Sequence, residues 1–137
     1  MARETDYLKG RVAIVTGAAG GIGEKVCIAL ADMGTALLVK CGFSEAAAAE
    51  ALSPLLLGNA QSVAEKGAVN ALTGPIERGD AQTVSKHLQE IRKFAAESTV
   101  GQDILTAYTA LSNQLIRIAK QKHPHKDYKH LKKELEQ

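Results

Sequence analysis

Aromatic side chains are scarce in this chain: they make up 4% of its 137 residues, and tryptophan is absent. Any core must therefore be built from Leu, Ala, Ile and Val. The same scarcity weighs against a nucleic-acid surface. No basic stripe with interleaved aromatics occurs, and the formal net charge is only +2, so nucleic acid is not expected as a partner. Cysteine occurs only at Cys27 and Cys41, a spacing that matches no metal or redox motif. Buried thiols in a reducing compartment are expected, rather than a disulfide framework. No apolar run approaches the roughly 20 residues of a membrane span, so no membrane association is expected. Residues 1–10 carry Arg3, Glu4, Asp6 and Lys9, which does not read as a signal peptide. The expected location is the cytoplasm.

What is present suits a globular chain, with 45% hydrophobic and 23% charged residues. The length predicts one domain, or one small domain with an appendage.

Val12, Ala13, Ile14 and Val15 form a continuous apolar run, suited to a parallel strand over Arg11 to Thr16 that is buried on both faces. The run ends in Gly17-Ala18-Ala19-Gly20-Gly21-Ile22-Gly23. Gly17 allows a sharp turn, while Gly21 and Gly23 remove side chains where a phosphate and the strand must approach closely. From Ile22 to Met33, the residues Ile22, Val26, Ala29, Leu30 and Met33 recur at helical spacing, and Gly34 is the expected stop. Ala36 to Val39 is a second apolar run and reads as a second strand.

Strand, glycine loop and helix start, in that order, are what a dinucleotide pyrophosphate needs. Gly17, Gly21, Ile22 and Gly23 are thus the candidate cofactor-binding residues, and NAD or NADP the candidate cofactor. The acidic residue that normally holds the ribose hydroxyls would fall near Lys40 or Cys41, and neither is acidic. Lys40 suits either a 2′-phosphate or plain solvation.

With its Thr16-Gly17-x-x-x-Gly21-Ile22-Gly23 pattern, the stretch over about residues 8–39 resembles the N-terminus of the short-chain dehydrogenase/reductase family. The resemblance implies a Rossmann nucleotide unit and hydride transfer. It stops after Val39, before the positions of that family's catalytic Ser and Tyr-x-x-x-Lys pair. Tyr128 and Lys132 repeat the pair's spacing, but in a charge-dense stretch with no strand and serine before it, which reads as coincidence. No catalytic residue is assigned.

Beyond Cys41 the pattern is helical. Ser44 is an N-cap for a helix from Glu45 to about Lys66, and Gly67 is its expected stop. Ala48, Leu52, Leu55, Leu56, Asn59 and Val63 share one side, and Pro54 predicts a kink or break. Ala68 to Asp80 reads as a turn-rich linker. Asp80 caps a helix to about Ala95, with Val84, Leu88 and Ile91 facing the core. Gly101 and Gln102 lead into a long helix to about Lys122. Its apolar stripe is Ile104, Tyr108, Leu111, Leu115 and Ile118, widened by Leu105 and Ile116. Pro124 limits that helix, and the charged remainder is expected to be frayed or a short surface helix. His123, His125 and His130 lack a closing ligand at metal-site spacing, so solvated histidines are expected and no metal site is assigned.

From about residue 39 to 122 the chain resembles the uncharacterised C-terminal helical domain of bacterial Rossmann-like proteins related to pyrroline-5-carboxylate reductase. The residues that carry the likeness are Cys41-Gly42-Phe43-Ser44, Pro54-Leu55-Leu56, Asn59 and above all Ala71 to Asp80. It implies a homodimer interface and a Thr73-Gly74-Pro75 loop near an interdomain cleft. The alternative for Thr73 to Asp80 is a structural connector with a helix cap.

The expected fold class is an α/β fragment plus an all-α part. A truncated Rossmann βαβ unit spans residues 1–40, a helical dimerisation-type domain 41–122, and a charged tail 123–137. The two resemblances meet near Leu38 to Lys40, where a fusion or deletion joint is expected. One βαβ fragment cannot form a stable sheet alone. Thr35 to Lys40 is then expected to extend the first helix of the C-terminal domain, or the fragment is expected to pair across a dimer. The functional expectation is an oxidoreductase-like, NAD(P)-binding homodimer. The alternative is a non-catalytic helical oligomerisation module with a vestigial nucleotide loop.

Overall fold

A computed structural model describes residues 22–137. The chain divides into two units, residues 1–32 and residues 33–137. In the first, residues 22–32 are described; they are the opening turns of helix α1 (Ile22–Lys40), and Glu24 to Leu30 are exposed.

In the second unit, the rest of α1 is followed by α2 (Glu45–Ala71), α3 (Pro75–Arg78), α4 (Ala81–Glu97), α5 (Thr99–Lys122) and α6 (Lys129–Glu136). The predominantly helical character expected from sequence is present, and no strand occurs among the described residues.

Ala36 to Val39, expected as a second strand, is the last turn of α1. A strand needs a neighbour for its N–H and C=O groups, whereas a helix satisfies them internally. The second strand of a truncated βαβ unit is therefore not formed. The first expected strand, Arg11 to Thr16, lies outside the described residues. Gly34 does not stop the helix. A Cβ at this position would meet Leu52 Cδ1 at 3.1 Å, so glycine allows α1 and α2 to approach closely there. Beyond Lys40, α1 ends in a turn that closes with the Phe43 N–H on the Leu38 carbonyl at 3.1 Å.

Ser44 caps α2 as expected, its Oγ accepting from the Ala47 N–H at 3.2 Å. The expected stop at Gly67 is a kink, with φ 74° and ψ 162°, a conformation that glycine alone adopts readily, and the helix resumes to Ala71. Pro54 causes no break, since Gly67 is the one residue of α2 outside helical geometry.

Asp80 caps α4 through the Thr83 N–H at 3.0 Å and the Thr83 hydroxyl at 2.7 Å. Ser98 closes α4 and caps α5, its Oγ accepting from the Gly101 N–H at 3.0 Å. The corner is tight: a Cβ on Gly101 would lie 2.4 Å from the Phe94 carbonyl carbon.

The core gathers Val84 and Leu88 of α4, Ile116 and Ala119 of α5 and Leu131 and Leu135 of α6, with Leu72, Ile76 and Tyr128. Val84, Leu88 and Ile91 are buried as expected. On α5, Ile104 and Ile116 of the expected stripe are buried and Leu105, Tyr108, Leu115 and Ile118 pack against the core; the fully buried face also takes in small residues. It comprises Gly101, Ile104, Ser112, Ile116 and Ala119, while Leu111 is 49% exposed. Small side chains at Gly101, Ser112 and Ala119 allow close helix packing, and a stripe drawn through large apolar residues does not register them. The stretch expected to be frayed or superficial also contributes to this core. Tyr128, Leu131 and Leu135 are buried, because α6 lays one apolar side on α4 and α5.

Candidate functional site

The connector from Thr73 to Asp80 holds the most constrained polar chemistry of the second unit. Gly74 at φ 98° and Gly79 at φ 71° bracket α3, and Pro75 supplies its first residue. Three contacts hold Glu77, and a fourth holds the adjoining Leu72. The Glu77 carboxylate is 2.5 Å from His123 Nε2 and 3.7 Å from Lys122 Nζ. The Tyr128 hydroxyl donates to the Glu77 carbonyl at 3.0 Å, and Lys122 Nζ donates to the Leu72 carbonyl at 2.8 Å. The His123 hydrogen bond is the chief cause holding the Glu77 carboxyl below its usual range; burial works against it, and the charges of Lys122, His123 and Lys126 reinforce it.

Beside this anchored loop is a cleft of about 290 Å³, lined by Thr73, Pro75 and Ile76, by His87 of α4, and by Tyr108, Leu111, Ser112 and Leu115 of α5. Its walls are apolar apart from one row of polar groups. His87 Nδ1 lies 3.0 Å from Tyr108 Oη, with the rings edge to face. Burial pushes the Tyr108 phenol up, and a hydrogen bond from Ser112 opposes that shift. Ser112 itself is 3% exposed.

Gly17 and Gly21 of the expected coenzyme loop lie outside the described residues. Ile22 and Gly23 open α1. Lys40, the candidate for a 2′-phosphate, pairs with Glu97 and stands 5.4 Å from the centre of the Phe94 ring. Cys27 and Cys41 are exposed free thiols, which corrects the expectation of burial. No group of three or more His, Cys, Asp or Glu able to hold a metal occurs among the described residues. Tyr128 is buried on the Glu77 carbonyl and its phenol is raised, chiefly by burial, a structural bond rather than an acid tuned by Lys132. The sequence pattern singles out neither His87 nor Ser112, and it gives Tyr108 a place on the core stripe, where it packs. A serine one helical turn after a tyrosine, on a helix's buried side, was the available signal.

Residues 16–115 match a family described as a domain of unknown function, DUF2520. The chain belongs to the DUF2520 family. The match crosses Leu38 to Lys40 as one range, so it spans the point where a joint between two resemblances was expected. No curated protein and no solved structure matches the chain.

The DUF2520 chain has a second notable feature, in the middle of α2. Residues 53–61 are all exposed, including Leu55 at 61%, Leu56 at 41% and Leu57 at 71%. Ala48 is the one buried residue of this 27-residue helix. Of the expected apolar side, Ala48 is buried and Leu52 half-buried, while Leu55, Leu56, Asn59 and Val63 are exposed. No described helix is long and apolar enough to cross a membrane.

Proposed function

We propose that this chain is a helical association module that pairs α2 with α2 of a second copy. The observation behind this reading is the exposure of residues 53–61 around the whole helix circumference. A helical stretch of that length is marginal in water without packing. Each leucine buried there contributes roughly 1.5–3 kcal/mol before the cost of association. A second copy brings the same unpacked stretch, so a two-fold pairing resolves both at once, and two-fold homodimers are the commonest soluble oligomers. Size-exclusion chromatography with light scattering tests this: a dimer mass at micromolar concentration supports the module, and a monomer mass opposes it.

A second reading keeps the coenzyme. It rests on the order of apolar run, glycine loop and helix start from Val12 to Gly23, which suits a dinucleotide pyrophosphate. Under it, the chain is an oxidoreductase-like binder of NAD or NADP through Gly17, Gly21, Ile22 and Gly23, with no catalytic residue assigned. Isothermal titration with NADH and NADPH decides it. Binding abolished by Gly21→Asp supports the coenzyme role, and no heat at millimolar coenzyme ends it.

A further inference from the structure

The cleft beside the Thr73 loop has the composition of a small-molecule site. Pro75, Ile76, Leu111 and Leu115 supply apolar walls, while the hydrogen-bonded pair His87 and Tyr108, with Ser112, supplies polar groups along one side. Pockets with this division, mostly apolar and with a few convergent polar groups, are where small ligands bind. At about 290 Å³ the cleft is at the lower edge of the range for ligand pockets. A dinucleotide is far too large for it, so the site is independent of the coenzyme reading.

The row fixes what its open end presents. Tyr108 Oη and His87 Nδ1 share one hydrogen bond at 3.0 Å, in which either group can be the donor. When the phenol donates, the imidazole proton is on Nε2, which has no hydrogen-bond partner among the described residues; when Nδ1–H donates, the phenol hydrogen is the free one. His87 is exposed, so its Nε2 is open to solvent and to a ligand. In either arrangement the pair leaves one donor, Nε2–H or Oη–H, for a ligand oxygen. No Asp or Glu lines the cleft, so nothing in its wall repels an anion.

We propose that this cleft binds a small monocarboxylate, its alkyl body against Pro75, Ile76, Leu111 and Leu115 and its carboxylate on His87 and Tyr108. The hydrogen bond to the charged group selects the acid over the matching alcohol, because bonds to an ionised acceptor are the stronger ones.

Pentanoate and its neutral counterpart 1-pentanol are the probes, titrated into the isotopically labelled full chain and followed by amide and histidine-ring NMR. Pentanoate is expected to give saturable shifts at Thr73, His87, Tyr108 and Ser112, and 1-pentanol to bind more weakly. His87→Gln is expected to weaken pentanoate at least about tenfold, the loss of one charge-assisted bond. Leu111→Trp fills the mouth from an exposed position and is expected to abolish the shifts, with the amide spectrum elsewhere unchanged. The proposal is overturned if pentanoate gives no saturable shift at millimolar concentration, or if the shifts centre on other residues. Equal binding of 1-pentanol, or undiminished binding to either folded variant, overturns it too.

Discussion

Tyr128 donates its phenol hydrogen to the backbone carbonyl of Glu77 at 3.0 Å, joining positions 51 residues apart. The bond ties the entry of α6 to the loop that borders the cleft. Together with the burial of Leu131 and Leu135 against α4 and α5, it makes the C-terminal stretch part of the folded core.

Tyr128→Phe is expected to cost about 1 kcal/mol, the usual net worth of one hydrogen bond. Leu131→Ala, at a site 1% exposed, is expected to cost about 2–5 kcal/mol through the lost burial and the cavity left behind. Urea unfolding of the two variants gives both values. A Leu131→Ala midpoint equal to the parent's would show that α6 does not belong to the cooperative unit.

Acid sensitivity follows from Glu77. Its carboxyl is lowered in the fold, first by the His123 hydrogen bond and then by nearby cationic charge, with burial opposing. A carboxyl lowered on folding stabilises fully above its unfolded value, about 4.3, and loses that contribution as pH falls through the folded value. Stability is therefore expected to fall as pH drops below about 5. Glu77→Gln should be less stable than the parent at neutral pH and should show a shallower acid loss. Thermal melts of both proteins from neutral to acid pH test this, and parallel curves would remove Glu77 as a source.

The α4–α5 corner admits only glycine at position 101. An added Cβ would lie 2.4 Å from the Phe94 carbonyl and 2.6 Å from the Ala95 nitrogen, and backbone cannot yield as a flexible side chain does. Gly101→Ala is expected to cost about 1–3 kcal/mol or more despite alanine's better helix propensity. Calorimetry showing an unchanged or raised Tm would contradict the geometry.

The helical half of the fold was legible where local chemistry decides. Ser44 and Asp80 cap the helices they were expected to cap, and Val84, Leu88 and Ile91 face the core. The Ala36 to Val39 run misled because an apolar run of that length fits a buried strand or a helix equally, and only the presence of a neighbouring strand separates them. The buried face of α5 was legible in part, since Gly101, Ser112 and Ala119 pack through smallness, which hydrophobicity does not measure. Tyr128 and Leu131 were hidden among lysines, where charge density suggested solvent and the lone apolar side of α6 was easily passed over. The cleft row was not legible at all. His87 and Tyr108 come from different helices, and their pairing exists only once α4 packs on α5.

Association through α2 is the central claim, and sedimentation equilibrium of the parent and of a Leu56→Asp/Leu57→Asp variant tests it most directly. The substituted positions are 41% and 71% exposed, so the fold of a single copy should tolerate them. The expected result is a dimer for the parent and a folded monomer for the variant. A monomeric parent, or a variant that dimerises as well as the parent, would contradict it.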